Sequence, residues 1–238
     1  MKTLFALLLS LVTLPALASS EALIEDRLKA VDPSIPITLI EPSDMSGFYE
    51  VLLGSGEVLY VSEDGQFILS GKAYQVTQDN RLINLTEKRL SGMRLEAVQQ
   101  VDDNDMVIFP AEGERRARIY VFTDIDCPYC QKLHEEVDAL NDAGVEVAYL
   151  AFPRSGPGGA TASRMDQIWC ADDRLAAMES ALDGGSVTAA ACQTPVLEQL
   201  ALGQKLGVTG TPAMITETGD LLPGYMPAER LLPVLGIN

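Results

Sequence analysis

The sequence predicts an α+β protein in three pieces: a small strand-rich N-terminal part, a linker helix, and a larger C-terminal part where strands and helices alternate. Three observations predict it. Short β-branched and aromatic runs separated by glycine turns fill residues 48–77. A stretch of helical character with a capping signal occupies 84–101. From Met106 onward, apolar runs of strand length alternate with helical periodicity.

The 238 residues suffice for one large domain or two modest ones. With 47% hydrophobic and 21% charged residues, the chain can bury a core and is not a disordered polymer. Lys plus Arg number 17 against 34 Asp plus Glu, a net charge of −17. So acidic a surface argues against nucleic-acid binding, which needs clustered Lys and Arg, and fits a protein that resists self-association. No apolar run reaches the roughly 20 residues needed to cross a bilayer.

Residues 1–18, MKTLFALLLSLVTLPALA, read as a signal peptide. Lys2 gives a positive start, Thr3 to Leu14 is mostly apolar, Pro15 breaks the run, and Ala16-Leu17-Ala18 offers a small-x-small site with cleavage after Ala18. The rival is a buried N-terminal helix. Export puts the cysteines where disulfides persist, without separating periplasm from medium.

Glu21 to Ala30 reads as helix, after which Pro33, Pro36 and Pro42 forbid a long one. Phe48 to Leu53 and Glu57 to Val61 form a hairpin across Gly54-Ser55-Gly56; Gln66 to Ser70 and Ala73 to Thr77 add strands. The N-terminal domain, 19–83, is marginal in size for an isolated core. It is therefore expected to pair with a second copy, through an exposed strand edge; the alternative is packing on its neighbour. Residues 84–105 form the linker helix and its acidic end, with Asn84 and Glu87 as a capping arrangement and Leu85, Leu90, Met93, Leu95 and Val98 as apolar positions.

In 106–238, Met106 to Pro110 and Arg118 to Thr123 read as strands, Cys127 to Leu140 as a helix, and Val145 to Phe152 as a buried strand. A long helical stretch, 160–206, breaks near Gly184-Gly185 and Pro195. Ala213 to Thr216 and Leu221 to Gly224 close as a hairpin, before a last helix from Pro227 to Leu235. Strand, helix, strand, then later hairpin and helix, is the thioredoxin order, here with a helical insertion.

The chemistry concentrates at Cys127-Pro128-Tyr129-Cys130, where a strand hands over to a helix. At a helix N-terminus, free N–H groups and the macrodipole favour a thiolate, making Cys127 a nucleophile and a good leaving group. Cys130, one turn on and expected to lie deeper, can attack a mixed disulfide at Cys127. Pro128 fits an early helical position. The competing zinc reading lacks a second close pair, and His134 is the only histidine, so no metal and no bound cofactor are expected. Thr211-Pro212 precedes a strand and is read as a cis bond presenting a backbone edge to an incoming peptide; the alternative is an ordinary trans turn. Cys170 and Cys192 are read as a structural disulfide, a second redox pair being the rival. His134 is read as structural rather than as a tuner of the thiols. Asp124 and Asp126 oppose thiolate formation if either points at Cys127.

These residues resemble the DsbC/DsbG family of periplasmic disulfide isomerases, the DsbC branch more closely. The likeness spans nearly the whole chain after residue 18: the strand-rich region, the linker helix, Tyr120 to His134, Tyr149 to Arg154, Ile168-Trp169-Cys170, Gly207 to Pro212, and Leu222 to Tyr225. The resemblance implies a cystatin-like N-terminal dimerisation domain, a V-shaped homodimer and two thioredoxin-like catalytic domains facing an apolar cleft. It also implies Cys127 as nucleophile, Cys130 as resolving thiol, Thr211 and Pro212 as substrate-binding, and Cys170 with Cys192 as the second, structural pair. Pro128-Tyr129 is the DsbG form where DsbC has Gly-Tyr, a departure that bears on redox poise and client choice. The expected function is a thiol:disulfide isomerase and reductase acting on misfolded disulfide-containing exported proteins, with a membrane thiol reductase of DsbD type restoring the dithiol. The alternatives are a dithiol oxidase and a redox-independent chaperone.

Overall fold

A computed structural model describes residues 19–237. The signal peptide expected over 1–18 lies outside the described residues. The described chain forms two compact units that divide after Gly71.

In the first unit, helix α1 (Ser20–Val31) starts at Ser19, whose hydroxyl accepts the Ala22 N–H at 3.3 Å. Strands β1 (Ile37–Pro42), β2 (Phe48–Leu53), β3 (Val58–Ser62) and β4 (Ile68–Ser70) form one antiparallel sheet in that order. Ile24 and Leu28 of α1 pack with Val51, Leu59 and Val61 of the sheet. The β2–β3 hairpin falls where expected, and Gly56 takes the left-handed φ of +84° its turn requires. Strand β1 went unread because its prolines mask it. At a sheet edge a proline is tolerated, since its missing N–H lies outside the ladder.

The second unit opens with a short hairpin, β5 (Tyr74–Val76) and β6 (Leu82–Asn84), the latter also unread in the sequence. Helix α2 (Leu85–Gln99) follows, capped by Asn84 Oδ1 accepting the Glu87 N–H at 3.0 Å. The Glu87 carboxylate does not reach back to the cap but pairs with Arg94. Arg94 and Ser91 are buried on a face with Val98: Arg94 Nε donates to the Leu206 carbonyl at 3.2 Å, and Ser91 Oγ donates to Asp220 at 3.0 Å. Helix α2 is thus docked by polar contacts rather than by a continuous apolar stripe.

The remaining elements are β7 (Val107–Phe109), β8 (Ala117–Thr123), α3 (Pro128–His134), α4 (Val137–Asp142), β9 (Val145–Ala151), α5 (Ala160–Trp169), α6 (Arg174–Leu182), α7 (Val196–Lys205), β10 (Ala213–Thr216), β11 (Leu221–Pro223) and α8 (Ala228–Val234). The sheet order is β11-β10-β8-β9-β7; β8 and β9 run parallel and the other pairs antiparallel. Both faces are covered, which is why β8 and β9 are nearly continuous apolar runs. Ile119, Val121, Val147 and Tyr149 face a core with Leu133, Leu140, Met165, Trp169 and Leu231. Tyr120, Phe122, Ala148 and Leu150 face the other way, toward Val98 and Leu200.

Two helices differ from expectation. The helix after Cys127 breaks into α3 and α4, where the Glu136 N–H takes the Leu133 carbonyl at 3.1 Å in a tighter turn. The Glu136 carboxylate is drawn away to Tyr225 Oη at 2.7 Å and the Ala228 N–H at 3.3 Å. The 160–206 run breaks a further time after Trp169, with Asp173 capping α6. No helix among the described residues is long and apolar enough to cross a membrane.

Candidate active site

Strand β8 lies at the centre of its sheet and delivers the chain at Thr123 to the turn Asp124–Asp126. Cys127 caps α3 in extended conformation, its N–H donating to the Asp124 carbonyl at 3.0 Å, and Pro128 is the first helical residue. Both Cys127 and Cys130 are buried free thiols. Cys130 Sγ accepts the Asp124 N–H at 3.5 Å, which places it against the peptide joining Thr123 to Asp124. The Cys127 thiol donates to the Thr211 carbonyl at 3.2 Å. The Thr211–Pro212 peptide is cis, and an open groove of about 160 Å³ runs beside it, lined by residues 207–213 with Leu221, Pro223 and Gly224. Strand–helix junction and proline loop are therefore brought together across 84 residues of sequence.

Both carboxylates that threatened the thiolate are engaged elsewhere. Asp124 is buried and accepts from the Arg154 N–H at 2.8 Å, Arg154 Nε at 3.1 Å and the Asp126 N–H at 2.8 Å. Asp126 accepts from Thr161 Oγ1 at 2.7 Å and pairs with Arg164. The Thr161 hydroxyl and Arg164 hold the Asp126 carboxyl below the usual range. Burial works against ionisation of Cys127, but the Thr211 hydroxyl, the Cys130 and Tyr129 N–H groups and the Cys130 thiol, all placed to favour a thiolate there, outweigh it and hold the thiol below its ordinary value. Burial pushes Cys130 up to about 11. The two sulfurs thus differ as attacking and resolving thiols must.

The sequence did not single out Arg154, Thr161 or Arg164. Arg154 follows the carboxyl end of β9, where open α/β sheets gather their functional groups, so position was its available signal. Thr161 and Arg164 come from α5, and no spacing in the sequence announces them. His134 lies apart from the thiols' hydrogen bonds: Nδ1 is 3.1 Å from Tyr149 Oη, and the ring meets Phe109 edge-on. Burial holds its pKa below the ordinary value. Cys170 and Cys192 are bonded, Cα–Cα 5.7 Å, joining the end of α5 to the helix-free run between α6 and α7.

A thiol that ionises readily, a neighbour that does not, and a backbone edge beside them can accept another protein's disulfide and hand it on. This chemistry on this scaffold defines a thioredoxin-like thiol–disulfide oxidoreductase. The model of a thioredoxin-like domain matches residues 102–236, and that of the disulfide bond isomerase protein N-terminal domain matches 15–87. The chain is 40% identical over 192 residues to the thiol:disulfide interchange protein DsbC of Escherichia coli strain K12, covering 81% of this chain and 78% of that one. It is 35% identical over 235 residues to the DsbC of Haemophilus influenzae, covering 99% and 98%. A solved disulfide interchange protein from Neisseria gonorrhoeae aligns at 27% identity with a TM-score of 0.49, covering 57% of this chain and 96% of that one. The chain belongs to the DsbC family of thiol:disulfide interchange proteins. It is an enzyme of the disulfide-isomerase and oxidoreductase kind.

Proposed function

We propose that the chain rearranges incorrect disulfides in exported proteins, with Cys127 as the attacking sulfur and Cys130 as the resolving one. The observation that carries this reading is the Cys127 thiol at the head of α3, 3.2 Å from the carbonyl that precedes the cis-proline, an arrangement that goes with a pKa below the ordinary thiol value. The Cys127 thiolate attacks a client disulfide; one client sulfur is bonded to Cys127 and the other leaves as a thiolate. That thiolate attacks another disulfide of the client and displaces a second client thiolate, which attacks the client sulfur of the mixed disulfide, frees the Cys127 thiolate and leaves the client bonds exchanged. Where exchange stalls, Cys130 closes on Cys127, releases the client reduced, and leaves the pair oxidised. Thr211 and Pro212 supply the edge on which client backbone pairs, which accepts many sequences. Cys170–Cys192 is structural.

The domain organisation in this reading is a signal peptide over 1–18, a dimerisation domain over 19–83, a linker helix over 84–105, and the thioredoxin-like domain over 106–238. The protein works as a periplasmic homodimer, and a membrane thiol reductase of DsbD type returns Cys127 and Cys130 to thiols. Mutation tests the roles. Cys127→Ser is expected to abolish recovery of a scrambled disulfide substrate, and Cys130→Ala to leave a client covalently held at Cys127. Full recovery with Cys127→Ser refutes the assignment.

A further inference from the structure

Two buried hydroxyls, Thr211 Oγ1 and Thr123 Oγ1, belong to residues whose main chain flanks the two sulfurs, and neither has a hydrogen-bond partner in the dithiol form. Thr211 belongs to the substrate edge already described; Thr123 does not. Thr123 is the last residue of β8 and is fully buried. Side chains alternate along a strand, and Ile119 and Val121 face the core that holds both cysteines while Tyr120 and Phe122 face away. Thr123 continues the Ile119–Val121 series and so lies on the cysteine face. Cys130 Sγ lies against the Thr123–Asp124 peptide, receiving the Asp124 N–H at 3.5 Å. The Thr123 main chain is fixed as well, its carbonyl taking the Phe152 N–H at 2.8 Å.

A neutral thiol is a weak hydrogen-bond acceptor, and a thiolate is a strong one. A buried hydroxyl facing a thiol is therefore poorly satisfied until that thiol ionises. We propose that Thr123 is a positioning residue of the resolving step, its hydroxyl donating to Cys130 when that sulfur becomes a thiolate. The proposal rests on the reading of Cys127 as attacking and Cys130 as resolving sulfur. Burial opposes ionisation of Cys130, and the Thr123 hydroxyl works against that penalty. In the step, Cys130 gives its proton to solvent and its thiolate attacks the Cys127 sulfur of the mixed disulfide. The Cys127–Cys130 bond forms as the Cys127–client bond breaks, and the client sulfur leaves as a thiolate that takes up a proton. The mixed disulfide is reduced as the cysteine pair is oxidised, so no further oxidant enters.

An aromatic disulfide whose thiolate is coloured separates the two steps in the full-length dithiol protein. One coloured thiolate leaves on attack by Cys127, and a second on closure by Cys130. Thr123→Val, which keeps the branched shape, is expected to slow the second release about tenfold relative to the first, the effect of losing one hydrogen bond to a charged group. It should also move the pH midpoint of that release upward by about one unit, which a merely structural residue would not do. Thr123→Ser should restore both to within about twofold of wild type, because it keeps the donor. Thr123→Ala, which relieves any crowding, should show the same slowing as Val. A second release at the wild-type rate and midpoint in both hydroxyl-free variants overturns the role of Thr123 and leaves the cysteine assignments standing. Two releases persisting in Cys127→Ser overturn those assignments, and this proposal with them.

Discussion

At the scale of single residues, the site answers the question of how a thiolate forms next to an aspartate. Asp126 immediately precedes Cys127, and a free carboxylate there would oppose ionisation of the thiol. Thr161 and Arg164 of α5 hold that carboxylate instead, and Arg154 holds Asp124. Arg164→Gln is therefore expected to raise the ionisation midpoint of Cys127, read from the ultraviolet absorbance of its thiolate. The rise should be modest, about half a pH unit, because Arg164 and Asp126 are both near half exposed and solvent screens them. The Cys127 midpoint is held below the ordinary value, so attack sets in at lower pH than for a free cysteine, and the variant moves that onset upward. Adding Asp126→Asn to Arg164→Gln removes the offending charge and should return the midpoint to wild type or below. A midpoint unmoved by Arg164→Gln would show that the pair does not govern the thiol. The motif Cys127-Pro128-Tyr129-Cys130 and the Thr211-Pro212 pair were legible from sequence, since local residue chemistry defines them. The arginines were not, because their role depends on a partner roughly 30 to 40 positions away.

At the scale of elements, sequence reading worked where pattern and packing agree. The β2–β3 hairpin, β8, β9, the β10–β11 hairpin and the Asn84 cap all fall where periodicity and turn chemistry place them. It failed where a distant contact overrides local preference. The break between α3 and α4 follows Glu136 being drawn to Tyr225 and Ala228, and the buried face of α2 includes Ser91 and Arg94 because Asp220 and the Leu206 carbonyl wait for them. The Cys170–Cys192 bond ties the end of α5 to a run of chain without helix. It spans 22 positions, a loop whose closure contributes about 3 kcal/mol on the chain-entropy account. Replacing both cysteines by alanine should lower the unfolding free energy by about that amount, read from the midpoint and slope of a urea titration. Because Thr161 and Arg164 sit on α5, ahead of the bridge, Cys127 should keep its ionisation midpoint wherever the variant remains folded. A loss of Cys127 acidity in the folded variant would show instead that the bridge acts on the site.

At the scale of the whole molecule, the open question is what covers the edge of the first unit's sheet. Strand β4 is the last in that sheet, and each of its residues is exposed. Phe67, Ile68 and Leu69 expose 63%, 48% and 50% of their surface, far more apolar surface than a solvent-facing strand edge usually carries. A unit of this size, with a single small core cluster of five buried apolar side chains among the described residues, has little stability to spare, and pairing with a second copy would bury that edge. The net charge of −17 works against such pairing, because two copies repel. Two consequences follow for the proposed homodimer, both read by analytical ultracentrifugation. Salt should tighten it, since screening weakens the repulsion while apolar contact persists. Leu69→Lys, which sets a charge midway along β4 where the side chain is already half exposed, should weaken it by tenfold or more, on the order of a central interface contact, at little cost to the fold. The variant monomer should still release the first coloured thiolate from an aromatic disulfide, because that step needs Cys127 alone, while recovery of a scrambled protein falls. A dimer indifferent to both salt and Leu69→Lys would mean that a different surface pairs.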